Sequence, residues 1–271
     1  METVYMDLTM DEKIQKIKAM RPIDDVFFEV LAQNKAVCEE MLQTILEDPK
    51  LTVLHVTTQA SEKNIYGRSV RLDALCLLGN GAKCNIEVQR SDNDNHLKRA
   101  RFNASSITVK ESNTGKKFED VIDLYIVYIS EFDFLGGGKT IYHIDKVLRE
   151  TGKVVDDGLH EVFVNTAIND KSNIAELMSC FKQTDVNNPK FPKLSNEVTR
   201  LKTERGGLKA MCTIMDDLMN DAAIAECIEG ALSFGVSDDQ IIDRLKKKYN
   251  LSESEAKEQL QKFKVNETSQ S

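Results

Sequence analysis

The sequence predicts an α/β protein whose core has the element order helix, three strands, helix, strand, followed by a β extension and a helical C-terminal region. Apolar residues at helical spacing mark the first helix, a Gly-Asn-Gly hairpin joins two strand-like runs, and helix-start signals dominate the last third. The 271 residues can bury a substantial core, and 41% apolar with 30% charged residues is typical of a folded, soluble protein.

The first predicted element is one long amphipathic helix over residues 24–47, which Pro49 closes. Strand-like runs at 51–59, 68–78 and 82–89 follow it. Gly79-Asn80-Gly81 joins the last two runs and predicts an antiparallel hairpin, because these residue types tolerate positive φ. The remaining core elements are a helix that is basic on one side and a buried strand, at residues 94–112 and 121–130.

Four regions follow from this pattern. We predict a lead-in at 1–19, the core at 20–145, a β and helical extension at 146–188, and a helical region at 189–271. A polar, proline-containing linker marks the last boundary. Two capping boxes, Ser237 with Gln240 and Ser252 with Glu255, mark helix starts beyond it.

Charge is unevenly distributed along the chain. The net charge of −8 does not suggest a general polyanion binder. Residues 90–117 nevertheless carry seven Lys and Arg against three Asp and Glu, whereas residues 216–271 carry seven against twelve. A nucleic-acid surface should therefore be local and lie in the middle of the chain.

The six cysteines form no CxxC pair and most lie in apolar runs, which favours reduced, buried thiols over a zinc site or disulfides. The acidic N-terminus has no apolar signal region, and no stretch approaches the ~20 apolar residues of a membrane span. We expect a cytoplasmic protein without a membrane partner.

Asp73 lies in an otherwise apolar strand, where a carboxylate costs several kcal/mol to bury unless it is paired, hydrogen-bonded or bound to a metal. Glu87 and Gln89 are two residues apart on the next strand and share a face. Antiparallel pairing can bring that face beside Asp73. Two carboxylates and an amide oxygen would suit a hard divalent cation such as Mg²⁺.

An ordinary structural interpretation stays open at this point. The alternation over residues 82–89 is typical of any half-exposed antiparallel strand. Asp73 could instead cap a turn or pair with Arg68, Arg71 or Arg90. The spacing alone does not separate a metal site from these alternatives.

Five longer stretches of the sequence point to a known family. They are RPIDDVFFEVL, RLDALCLL, CNIEVQRSDNDNHLKRARFNASSI, KFEDVIDLYIVYISEFDFL and KTIYHIDKVLRETGKVVDDGLHEVFVNT. These stretches resemble the bacterial PD-(D/E)XK nuclease family transposases, also called recombination-promoting nucleases, over roughly residues 20–182. That resemblance implies a restriction-endonuclease-like core.

The resemblance implies a catalytic role for Asp73, Glu87 and Gln89. Asp73 and Glu87 would be ligands of Mg²⁺ or Mn²⁺, with the main-chain carbonyl of Val88 as a third. Gln89 stands where the superfamily has lysine, and a neutral amide can orient water but contributes less electrostatically. Asp25 would add a further metal ligand, although an acidic residue at a helix start also serves as a cap.

The resemblance also points to the second helix of the core. Lys98, Arg99 and Arg101 would contact DNA phosphates, although charges on a helix are often only a solvated face. Glu29 replaces a lysine that is common in relatives. His96 lies near the site and could assist proton transfer, or could be an exposed loop residue.

We therefore predict a Mg²⁺-dependent DNA endonuclease that hydrolyses phosphodiesters and is linked to mobile elements or recombination. Two alternatives remain. One is a degenerate nuclease-fold protein that binds DNA or protein without cutting. The other is an interaction protein that forms homo-oligomers through its C-terminal helices.

Overall fold

A computed structural model describes residues 8–62, 70–112, 115 and 117–267. Arg68, at the start of the second predicted strand, lies outside these ranges. Within them, no helix is both long enough and apolar enough to cross a membrane. The predicted burial of the thiols is confirmed at five of the six cysteines, and Cys227 is partly exposed.

The protein is built on a mixed six-stranded sheet with the strand order β1-β2-β3-β4-β8-β5. A separate two-stranded ribbon, β6 with β7, lies between β5 and β8 in the sequence. The strands are β1 Val53–Glu62, β2 Val70–Leu78, β3 Lys83–Gln89, β4 Leu124–Ser130, β5 Ile141–Ile144, β6 Lys146–Val147, β7 Val154–Val155 and β8 Leu159–Asn165.

Strand directions divide the sheet into two halves. β1, β2 and β3 pair antiparallel, as the hairpin signal predicts. β3, β4 and β8 pair parallel, so that Gln89, Ser130 and Asn165 lie together at one edge. The predicted β extension joins this same sheet, with β8 inside it and β5 antiparallel at its border. The α/β prediction is thus confirmed.

Helices cover both faces of the sheet and form the C-terminal region. They are α1 Met10–Ala19, α2 Asp25–Leu31, α3 Lys35–Ile45, α4 His96–Glu111, α5 Asn173–Phe181, α6 Pro192–Thr203, α7 Arg205–Ser233, α8 Asp238–Tyr249 and α9 Glu253–Glu267. The sequence pattern did not predict α1, whose start is closed by a capping box between Thr9 and Glu12.

The prediction of a single helix over residues 24–47 is wrong. The chain leaves α2 at Ala32 and begins α3 after Asn34, whose side-chain oxygen accepts a hydrogen bond from the Ala36 amide at 3.1 Å. An asparagine in this position favours a new helix start because it satisfies an otherwise unpaired amide. The apolar residues on both sides of the break still face one core, so the periodicity concealed it.

Two apolar clusters lie on opposite faces of the sheet. The larger one joins α1, α2, α3, α5, α6 and the first half of α7 to the sheet, and the smaller one lies under α4. The second half of α7 forms a third cluster with α8 and α9. Side-chain packing therefore crosses residues 145 and 189, and the predicted region boundaries stay predictions.

Lys202 ties three chain segments together beneath α2. Its buried ammonium donates to the carbonyls of Lys18 at 3.0 Å, Met20 at 2.5 Å and Thr184. The Nζ atom also lies 5.2 Å from the centroid of the Phe27 ring. Burial lowers the pKa of this lysine, and the carbonyl dipoles compensate for the water it has lost.

We predict that Lys202→Met destabilises the protein by about 3 kcal/mol, because three carbonyls lose the buried ammonium that donates to them. Chemical unfolding of the full chain measures the change. Lys193→Met, at an exposed position of the same helix, is the matched control and should shift the free energy of unfolding by less than about 0.5 kcal/mol. Equal effects of the two substitutions would contradict the role given to Lys202.

Candidate functional site

The site lies where the β2–β3 ladder ends. The two strands stay in antiparallel register from Leu77 opposite Lys83 to Ala74 opposite Ile86, and Gly81 permits the turn between them with a φ of 89°. The next residues in this register are Asp73 and Glu87. The hairpin therefore brings the two predicted carboxylates together.

The two carboxylates exchange hydrogen bonds with each other's strand. The Val88 amide donates to Asp73 Oδ2 at 2.9 Å, and the Asp73 amide donates to Glu87 Oε1 at 3.4 Å. Each carboxylate thus accepts a hydrogen bond from a strand amide, as a backbone carbonyl does elsewhere in the β2–β3 ladder. This exchange fixes the two negative groups beside each other.

Glu87 is the more buried of the two carboxylates. Only 1% of the residue is exposed. Burial raises the pKa of its carboxyl well above the usual range, the charge of Asp73 raises the pKa further, and the charge of Arg99 opposes the shift. A cation held between Asp73 and Glu87 would relieve both the desolvation and the repulsion.

The atoms available to coordinate a metal ion at this site are oxygens. Asn85 Nδ2 donates to Glu87 Oε1 at 2.9 Å, whereas the buried Asn85 Oδ1 has no hydrogen-bond partner among the described residues. The donors that reach Glu87 meet Oε1, which leaves Oε2 for a ligand. Because the amide and carbonyl of one strand residue point to the same side, the Val88 carbonyl also faces β2. This oxygen set fits Mg²⁺ or Mn²⁺.

Asp25 is not brought into the same group. It begins α2 at the surface, where lost hydration raises its pKa and the charge of Arg90 opposes the rise. Among the described residues, no three His, Cys, Asp or Glu side chains approach closely enough to hold a metal ion. Asp73 and Glu87 are therefore the side-chain pair, and Asp25 adds negative charge nearby.

A ring of four charges fastens α2 to the sheet beside Asp25. Arg21 binds Asp24 at 3.1 Å and Glu131 at 2.6 Å, and Arg90 binds the same two carboxylates at 3.0 Å and 3.3 Å. The Asp24 carboxylate thus serves this ring and forms no helix cap. Sequence reasoning missed the ring because its members lie up to 110 positions apart.

Gln89 follows Glu87 on the same face, but its amide nitrogen is already used. Nε2 donates to the Ser91 carbonyl at 2.8 Å. The amide oxygen is the atom that remains for a water or a phosphate. Glu29 is 6% exposed and lies on α2.

The three predicted DNA-contacting residues are exposed on the first two turns of α4. Arg99 Nη1 lies 3.9 Å from Asp94, a weak contact for a side chain that is 41% exposed. The charge of Arg99 lowers the pKa values of both Glu87 and Asp25, which places it near the carboxylates. Lys98 and Arg101 extend the basic surface along the helix.

The interpretation of His96 as an exposed loop residue is wrong. His96 is the first residue of α4 and is 4% exposed. Nδ1 lies 2.9 Å from the Tyr128 hydroxyl and Nε2 lies 3.0 Å from Asp92. A neutral ring with its proton on Nε2 satisfies both contacts, as donor to Asp92 and acceptor from Tyr128.

Tyr128 connects this histidine to the carboxylates, since it is the β4 partner of Glu87. Burial raises the pKa of its hydroxyl, and Arg99 opposes the rise. Phe132 and Phe134 enclose the imidazole at ring distances of 5.0 Å and 4.9 Å. The spacing of His96 with Ala100, Ala104 and Ile107 on one helical face was the sequence signal for its burial.

A family model described as PD-(D/E)XK nuclease family transposase matches residues 22–179. The match covers more than half of the chain, from the start of α2 into α5, and includes Asp73 and Glu87. No curated protein and no solved structure matches the sequence.

We predict that Glu87→Gln stabilises the protein at pH 8. The variant removes a carboxylate whose folded-state pKa is raised, so wild type loses stability as pH rises above the unfolded-state value of about 4.3. The unfolding midpoint should rise by about 2–4 °C, or ~1 kcal/mol. The difference in unfolding midpoint between the variant and wild type should become smaller towards pH 4.

Thermal unfolding across this pH range measures the effect, in EDTA so that no cation contributes. Glu226→Gln makes the same charge change at an exposed position of α7 and should have little effect. A variant less stable than wild type at pH 8 would contradict the assignment of Glu87 as a repelled, buried carboxylate.

We predict strong coupling between His96 and Tyr128. His96→Phe and Tyr128→Phe should each destabilise by about 1–3 kcal/mol, because each leaves one buried polar atom without its partner. The double variant should lose at least ~1 kcal/mol less than the sum of the two losses. Urea unfolding of the four proteins measures this, and additive losses would show that the 2.9 Å contact contributes nothing.

Proposed function

The chain belongs to the PD-(D/E)XK nuclease family transposases, and we propose that it is a Mg²⁺-dependent DNA endonuclease linked to mobile elements or recombination. The pairing of Asp73 with Glu87 supports this proposal most strongly. Asp73 and the buried Glu87 each accept a hydrogen bond from the other's strand, which holds two carboxylates side by side although their charges repel each other. A divalent cation coordinated by both carboxylates would neutralise this repulsion.

Asp73, Glu87 and the Val88 carbonyl would hold the cation, and Asn85 Oδ1 lies ready as an acceptor for a bound water. When bound, a divalent cation lowers the pKa of a coordinated water and neutralises charge on the scissile phosphate. Mn²⁺ should substitute for Mg²⁺, because both accept carboxylate and carbonyl oxygens. The proposal places this reaction in the bacterial cytoplasm, where the DNA substrate resides.

Gln89 would orient the attacking water. Since its amide nitrogen donates to Ser91, the amide oxygen is the atom that would accept a hydrogen bond from that water. This contact aligns a water lone pair with the phosphorus but supplies no positive charge. Turnover should therefore be slower than with a lysine at this position.

The basic residues of α4 would position the DNA. Lys98 and Arg101 are exposed and suited to phosphate contacts. Arg99 lies close enough to influence Glu87 electrostatically, so its guanidinium would also offset charge that develops on the phosphate. Arg99 thus supplies part of the charge that Gln89 lacks.

One observation favours a second candidate function, a degenerate nuclease that binds DNA without cutting it. Gln89 is neutral and half of its amide is engaged within its own loop. A homo-oligomer assembled through the C-terminal helices stays a separate prediction, which the molecular mass of the full chain in solution, measured by sedimentation, can test.

We predict that the wild-type protein nicks supercoiled plasmid in Mg²⁺ or Mn²⁺, and that Asp73→Asn and Glu87→Gln each reduce nicking at least ~100-fold. Glu226→Gln, the exposed control, should retain wild-type activity. Gln89→Lys should increase the rate about tenfold or more by restoring a cation beside the phosphate.

Metal binding has a readout that does not depend on cleavage. Mg²⁺ should raise the unfolding temperature of wild type by mass action, and Asp73→Asn should abolish that increase. DNA binding and a metal-dependent stabilisation without nicking, even in Gln89→Lys, would favour the degenerate function. An unchanged unfolding temperature in Mg²⁺ and Mn²⁺ would contradict the metal site itself.

A further inference from the structure

Three basic side chains share one face of α8, far along the chain from the carboxylate pair. Arg244, Lys247 and Lys248 line a shallow surface concavity together with Gln240 and Asp243. Their spacing of three and four residues places them on adjacent turns of one helical face. All three are exposed.

Two neighbouring carboxylates, Asp243 and Asp238, each contact a lysine that lies outside this cluster. Asp243 lies 3.7 Å from Lys246, which also lies 3.6 Å from Glu253. Asp238 binds Lys264 at 2.6 Å. Within the described residues, Arg244, Lys247 and Lys248 form no ion pair, and Lys248 lies 5.1 Å from the centroid of the Tyr249 ring. Their charges are therefore available to a partner.

Two ordinary explanations account for only part of this cluster. Lysines in the last turn of a helix interact favourably with its dipole, but Arg244 lies earlier in α8. A general excess of positive charge is also excluded, because residues 216–271 carry five more acidic than basic side chains. The amino-acid composition of this acidic region therefore does not explain the local cluster of positive charge.

The patch lies outside the apolar clusters that pack against the sheet. The first half of α7 packs into the main core through Met211 and Met215, and its second half packs on α8 through Ile224 and Ile228. At a rise of 1.5 Å per residue, Met215 and Ile228 are about 20 Å apart along the helix. The long helix α7 thus carries α8 away from the sheet.

We propose that Arg244, Lys247 and Lys248 form a second DNA-backbone contact, separate from the Asp73–Glu87 site and independent of base sequence. The identity of the polymer rests on the proposed function. Cations on successive helical turns complement a row of phosphates, and the side chains that line the concavity are polar or charged. α9 is the less suitable surface, since its lysines Lys257, Lys262 and Lys264 are already ion-paired.

The test measures binding of the full chain to a 30-base-pair duplex by fluorescence anisotropy, in EDTA, over a series of salt concentrations. The patch variant Arg244→Gln/Lys247→Gln/Lys248→Gln should lower the slope of log Kd against log salt by about 2–3. The matched control, Lys146→Gln/Lys190→Gln/Lys257→Gln, removes the same charge from lysines that are ion-paired with carboxylates outside α8. It should change the slope by less than about 1.

Thermal unfolding confirms that both variants are folded. An unchanged salt slope in the patch variant overturns the proposal. An equal decrease of the slope in the control variant would show that only the net charge of the protein matters, and this result overturns the proposal as well. If the salt slope of the patch variant is unchanged, the endonuclease proposal still stands as long as the wild-type protein nicks plasmid. Conversely, a slope change specific to the patch supports this DNA contact even where no nicking occurs.

Discussion

The arrangement depends on the exchange of hydrogen bonds between Asp73 and Glu87 at the end of the β2–β3 ladder. Each carboxylate accepts from a backbone amide on the other strand, so neither can turn away without leaving a buried amide unpaired. Backbone pairing therefore holds two like charges together in a site where only 1% of Glu87 is exposed. Burial, together with the charge of Asp73, raises the pKa of Glu87, and a bound cation would offset both effects.

Two further sets of side-chain contacts fix the helices that flank this site. The ring of Arg21, Asp24, Arg90 and Glu131 fixes the start of α2 to the ends of β3 and β4. On the opposite face, the bond between His96 and Tyr128 fixes the start of α4 beside Glu87. Arg99 lies one helical turn beyond His96, so this bond also determines where the guanidinium stands. Preorganisation of this kind lets charged groups act without costly rearrangement.

Local patterns predicted the part of the site that depends on neighbours in sequence. Gly79 to Gly81 identified the hairpin, and an aspartate in an apolar strand identified Asp73. The burial of His96 was missed because its partner Tyr128 arrives 32 residues later on a parallel strand. The insertion of β8 beside β4 is likewise a long-range pairing that periodicity does not encode. Asn34 interrupts a continuous apolar stripe, and only the backbone hydrogen bonds show the break.

Direct location of the metal tests the central claim. Crystals grown with Mn²⁺ should show an anomalous peak within about 2.1–2.3 Å of one oxygen from each of Asp73 and Glu87 and of the Val88 carbonyl. The same crystals of Asp73→Asn should lack that peak. A Mn²⁺-saturated wild-type crystal without density between the two carboxylates, or with the ion bound only elsewhere, would contradict the account.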